Sequence, residues 1–361
     1  MSAAHGCADL DDTDGLIEAD RDGLLRAAAM AGAQVRATAA AVEEGALEQI
    51  AGGQRPRTVV WLAGRGPAAS AGAMLAGALD ATAGEPIVLA SQALTWIGPL
   101  DVLVVAGDDP GDPVLVSAAA MAVRRGARVV LAAPYEGPLR DATAGRAAVL
   151  APRLWVPEEF GLCRYLAAGL ATLAAVDPGP GGATTDLGVL ADELDAEALR
   201  NSATREVFTN PAKALADRMI GRRVVLAGDC PASLALARHA GAVMLRIAGE
   251  PVAAVGLADA LVALRRPSTA GFADSVGALF HDEEIDGPLP SRPRVLALTL
   301  QTERPALGAR VADIDGVDLV GAEDVGEAGS VPVSNARAEQ QLATLAVRLE
   351  MAAVYRGLAG G

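Results

Sequence analysis

The chain has 361 residues, long enough for two ordinary domains. Its hydrophobic content of 52% can fill two cores, and with aromatics at only 3% those cores are aliphatic and small-residue. A formal net charge of −15, with no cluster of Lys and Arg, excludes a nucleic-acid partner.

Cys7, Cys163 and Cys230 are odd in number and far apart, so they form no disulfide framework. No Cys or His spacing points to zinc, and no metal or cofactor is expected. Met1 to Asp20 is acidic and lacks the order of a secretory signal. The longest apolar run, near Leu166 to Val176, is too short to span a bilayer. A cytoplasmic location without membrane contact is expected.

In chain order, residues 1–55 read as an N-terminal helical segment. From Glu18 to Ile50, apolar residues recur at helical spacing and predict one or two helices. Val59–Ala63 is a continuous apolar run and reads as a buried strand. Gly64-Arg65-Gly66-Pro67 ends it, and Ala68 to Leu79 reads as a helix. Strands follow at Ile87–Ala90, Val102–Ala106 and Val129–Ala132, with a fifth near Val149-Leu150. The third leads through Gly107-Asp108-Asp109-Pro110-Gly111-Asp112 into a helix, which Asp112 or a neighbour caps. Phe160 to Val176 is a strongly apolar helix interrupted by Arg164, which needs Glu158, Glu159 or a ligand as partner. Alternating strands and helices predict an α/β fold with doubly wound parallel sheets, three layers deep.

Pro178 to Gly182 reads as a linker between domains at 56–180 and 185–361. Helices are expected from Asp186 to Leu199 and after Asn210, with Asn210 as N-cap and Pro211 at the first position. The second half repeats the first. Arg57 to Ser70 resembles Arg222 to Ser233, and Val102 to Pro110 parallels Val295 to Pro305 in the same order. The C-terminal helix, Ala336 to Leu358, carries an apolar face for the second sheet or for a dimer partner.

The turn Gly64-Arg65-Gly66-x-x-x-Ser70 stands where open α/β sheets bind ligands. Its glycines and the following helix end suit a phosphate, and Arg65 can add a charge-assisted contact. A dinucleotide needs an acid after the second strand, where Ser91-Gln92 stand instead. Of the three histidines, His5 lies in a polar terminus and His239 reads as a surface position on a helix. His281, beside Asp282, Glu283 and Glu284, is the best candidate for proton transfer. Glu250 is a turn carboxylate that can serve as a base.

Two repeated α/β halves, the Gly-rich first turn, Arg164 in a helix, and the ending Leu349 to Ala359 resemble the bifunctional phosphoglucose/phosphomannose isomerases, which carry tandem sugar-isomerase (SIS) domains. The similarity is closest to a divergent TobH-type branch from high-GC bacteria. The resemblance implies a homodimer and a sugar-phosphate substrate, isomerised from aldose to ketose through a cis-enediol without metal or nucleotide. It implies that Gly64, Gly66 and Ser70 hold phosphate and that Arg164 steadies the enediol. Glu250 would move the proton, with His281 helping. The chain departs from that pattern. Gly107-Asp108-Asp109 replaces a Ser/Thr-rich second phosphate turn, Glu250 lacks its Asn neighbours, and Lys213, the sole lysine, is out of place. The other reading is a non-catalytic protein that binds a carbohydrate derivative or a partner in mannose or glucose metabolism.

Overall fold

The computed structural model describes residues 9–177, 185–265, 292–324 and 336–360. The linker at 178–182, His5, Cys7 and His281 lie outside the described residues.

Two helices fill the span from Glu18 to Ile50, α2 (Leu24–Ala28) and α3 (Ala31–Glu43), and a further helix, α1 (Thr13–Ala19), precedes them. Asp12 caps α1 through the Gly15 amide, and Gly23, at φ 65°, turns the chain into α2.

The first sheet contains β1 (Thr58–Ala63), β2 (Ile87–Ala90), β3 (Asp101–Ala106), β4 (Arg128–Ala132) and β5 (Ala148–Val149). They lie in the order β2-β1-β3-β4-β5, all parallel, with Val60 opposite Val88 on one side and Leu103 on the other. Helices α4 (Gly66–Leu79), α5 (Pro113–Arg124), α6 (Gly137–Thr143) and α7 (Leu162–Val176) cover it. Helices on both faces explain why β1 and β3 are continuous apolar runs. Asp112 caps α5 through the Val114 amide, as its place in the turn predicts.

Two helices, α8 (Leu187–Arg200) and α9 (Pro211–Met219), lead into the second half. Asn210 accepts from the Lys213 amide with Pro211 at the first position of α9, as expected. The second sheet holds β6 (Val224–Gly228), β7 (Ala253–Gly256), β8 (Arg294–Leu298) and β9 (Val317–Val320), ordered β7-β6-β8-β9 and parallel. Helices α10 (Pro231–Val243), α11 (Leu257–Arg265) and α12 (Arg304–Val311) belong to it. Its order repeats that of β1 to β4, so the sequence repeat is a repeat of topology.

The helices that follow the first strand of each half, α4 and α10, pack against one another. Gly77 makes this approach possible: a Cβ there would meet the Ala232 nitrogen at 2.6 Å. The C-terminal helix α13 (Ala338–Gly360) does not present one apolar face to the second sheet. It runs between the halves, packed on α4, α7, α8, α9 and α10, and is buried along nearly its whole length.

Because α13 is enclosed, its charged residues need buried partners. Arg348 is 1% exposed and donates from Nε to Glu197 Oε1 at 2.7 Å. Its other nitrogens reach the carbonyls of Gly321, Ala322 and Asp324. Burial alone would raise the Glu197 carboxyl, but the charge and hydrogen bonds of Arg348, with Arg200 and Asn201, hold it below its usual value. Lys213 is buried too, donating to the carbonyls of Ala203 and Arg205 beneath the Tyr355 ring. Burial lowers its pKa. Its role is to tie α9 to the preceding loop and to α13.

Candidate functional site

The carboxyl end of β1 has the backbone of a ligand turn. Arg65 is extended, Gly66 takes φ 65°, and Pro67 opens α4. What surrounds the turn is acidic. Gly64, Arg65, Asp108, Asp109, Asp112 and Glu158 line a space of only about 30 Å³. A Cβ on Gly66 would stand 2.8 Å from Glu158 Oε1. Asp109 accepts from the Gly111 amide and Asp112 caps α5. Four carboxylates in so small a space oppose a phosphate, which carries the same charge.

Arg164 does not face this turn as a free cation. Its Nη2 donates to Asp108 Oδ1 at 2.5 Å, and its guanidinium stacks 4.1 Å from the centroid of the Tyr165 ring. The partner is therefore neither Glu158 nor Glu159, which sequence proximity suggests. Those two bind Arg246, at 3.4 Å and 2.7 Å. The swap follows from direction: Arg164 lies on the buried face of α7 toward β3, while the short turn at Glu158–Phe160 faces the second half.

Arg246 comes from the π-helical extension of α10, Met244–Ala248. It brings the second half against the first turn. A cleft of about 190 Å³ lies there, lined by Gly66, Ser70, Glu159, His239, Val243 and Arg246 among others. His239, expected at the surface, is 2% exposed. Its Nε2 lies 2.7 Å from Glu350 Oε1 on α13, and its ring borders the cleft. Burial pushes the Glu350 carboxyl up, against the hydrogen bond and charge of His239. Burial, with Glu350 nearby, also pushes the Cys163 thiol well up, so Cys163 is not a nucleophile.

One sequence signal pointed to His239. It sits three residues after Leu236 and four before Val243, both buried, and so falls on the apolar stripe of α10. A titratable group on such a stripe needs a buried partner, and only α13 supplies it.

Of the expected catalytic residues, Glu250 and Arg164 do not meet. Glu250 lies before β7 at the amino end of the second sheet and pairs with Arg356 of α13. It lines a different cleft, with Arg222 and Arg223. The structure joins Gly66 and Ser70 to His239 rather than to Glu250. Among the described residues no group of three or more His, Cys, Asp or Glu side chains could hold a metal ion. No described helix is long and apolar enough to cross a membrane.

No protein-family model matches the chain, and no curated protein sequence matches it. Solved structures do. A protein from Silicibacter pomeroyi proposed to be a phosphosugar isomerase superimposes with TM-score 0.59 at 17% identity, over 93% of this chain and 97% of its own. The tagatose-6-phosphate ketose/aldose isomerase of Escherichia coli gives TM-score 0.58 at 14% identity, over 99% and 95%. The C-terminal domain of glucosamine-fructose-6-phosphate aminotransferase from Francisella tularensis gives 0.58 at 8% identity, over 93% and 95%. The chain thus has the two-sheet α/β fold of these sugar-phosphate proteins along nearly its full length. At such identities the likeness defines the fold, and the site must be argued from its own residues.

Proposed function

We propose that the chain binds a phosphorylated sugar, or a closely related carbohydrate derivative, in the cleft between its two halves. The observation that carries this is the meeting of Gly66 and Ser70 with His239, itself held by Glu350, across one small cavity. The fold shared with phosphosugar isomerases supports the ligand class. The Arg246 guanidinium, on the cleft wall beside Gly66 and Ser70, is the group for the phosphate. Arg246 is 44% exposed at its side chain, and a surface pair of this kind contributes about 0–1 kcal/mol, so a phosphate can replace its carboxylate partners.

Aldose–ketose isomerisation needs one group to carry a proton between C1 and C2. His239, oriented by Glu350, is the residue for that role if turnover occurs. Glu250 and Arg164, assigned catalytic parts by the resemblance, are held in ion pairs with Arg356 and Asp108. One observation favours binding without turnover: Asp108 and Asp109 line the turn after β3, where the resemblance implies a Ser/Thr-rich phosphate turn. The homodimer and the relationship to phosphoglucose/phosphomannose isomerases belong to the same proposal, and light-scattering mass measurement tests the dimer.

Thermal unfolding with glucose 6-phosphate, fructose 6-phosphate, mannose 6-phosphate and the free sugars tests the binding. A ligand at about a hundred times its dissociation constant stabilises the fold by about 2.7 kcal/mol. The expected result is a shift with phosphorylated sugars that Ser70→Phe, which fills the cleft, removes. No shift with any of them, or a shift untouched by Ser70→Phe, overturns the proposal. An isomerase assay of wild type and His239→Gln then separates turnover from binding alone.

A further inference from the structure

We propose a second anion site, separate from the cleft between the halves, at the amino end of the second sheet. It takes a compact ligand with two or more phosphate-type negative charges. Residues from the α9–β6 connection, the start of β7 and the end of α13 enclose a cleft of about 750 Å³ there. Its charged lining is Arg222, Arg223, Arg356 and Glu250, three cations against one anion on a chain of net charge −15.

Helix-end electrostatics does not account for this set. Arginines near the carboxyl ends of α9 and α13 do compensate those helix dipoles. Two features go further. The side chains of Arg222 and Arg223 are exposed and make no hydrogen bond or ion pair with any described residue. Arg356 is the reverse case. Its side chain is 10% exposed, its Nη2 binds Glu250, and its Nε is buried with no partner. A buried guanidinium nitrogen without an acceptor is costly to keep, and its uncompensated charge adds to the positive potential of the cleft.

The geometry is that of a clamp. Gly221, at φ 66°, turns the chain between α9 and β6 and sets both arginines on the cleft wall. Glu250 is the only carboxylate among the described lining residues and already belongs to Arg356. A monoanion would meet one guanidinium, whereas a diphosphate or bisphosphate can meet Arg222 and Arg223 together, with the Arg356 charge behind them. Two unpaired arginines on one wall favour charge-assisted, forked contacts to phosphate oxygens.

Titration calorimetry on the full chain, with pyrophosphate as probe and inorganic phosphate as comparison, tests the site. Expected are saturable one-site binding of pyrophosphate, weaker binding of phosphate, and an affinity that falls as salt rises. Arg222→Ala with Arg223→Ala changes only exposed side chains and should keep the unfolding temperature while weakening pyrophosphate binding at least tenfold. Arg356→Lys keeps the charge but removes Nε, and should weaken it less. Ser70→Phe should leave it unchanged. Absence of saturable pyrophosphate binding at low salt, or binding equal in the Arg222→Ala/Arg223→Ala variant, overturns the proposal. The Ser70→Phe comparison keeps this result distinct from the fate of the sugar-phosphate proposal.

Discussion

The two halves carry the same turn with opposite outcomes. After β1, the turn at Gly64 is exposed, and a Cβ on Gly64 would meet nothing closer than Asp112 Oδ2 at 3.5 Å. After β6, the equivalent turn is closed. A Cβ on Gly228 would stand 2.2 Å from the Leu234 nitrogen. Cys230 and Ser233 cap α10 reciprocally, and Pro231 and Ala232 press on α4 at Gly77. The strand, glycine turn, proline and helix pattern therefore specifies a backbone course. Whether that course becomes a site depends on what packs against it.

The halves also differ in how they hold their charged residues. In the first, Arg164 meets a carboxylate that is 37% exposed; in the second, Arg348 meets one that is 0% exposed. The largest effect is expected there. Arg348→Met leaves Glu197 without its main partner and should cost about 3–5 kcal/mol in denaturant unfolding. The same pair sets an acid limit. Glu197 has a folded pKa below its unfolded one, so the stability it contributes is full above the ordinary carboxylate range. That stability is lost as pH falls through the folded value. A wild-type acid titration should show this loss, and Arg348→Met should flatten it.

Next in size is the contrast between the turns themselves. Gly228→Ala forces a methyl into backbone and should cost roughly 1–3 kcal/mol by the same measurement. Asp108→Asn removes one carboxylate beside the Gly64 turn and releases Arg164. Affinity for a sugar phosphate should rise about tenfold, about 1.4 kcal/mol, as read by calorimetry. An unchanged or lower affinity would mean that the acidic residues do not limit phosphate binding. The smallest effect belongs to Gly64→Ala, within about 0.5 kcal/mol in unfolding, since the added methyl makes only ordinary contacts. Equal costs at Gly64 and Gly228 would erase the difference between the turns.

What the sequence determined by itself was everything written in short stretches. Apolar runs marked the strands, Asp112 and Asn210 marked helix starts, and two segments in the same order marked the repeat that became two sheets of one strand order. Each rests on periodicity or on hydrogen bonds reaching a few residues. Only the tertiary structure decided the partners of charged groups. His239 meets Glu350 across 111 residues and Arg348 meets Glu197 across 151, while Arg164 passes over its sequence neighbours for Asp108. The same holds for α13, whose composition suits one apolar face but which is enclosed by both halves. A buried charge must find its counter-charge wherever packing brings one within hydrogen-bond reach, and that distance is set by the assembled fold rather than by spacing along the chain.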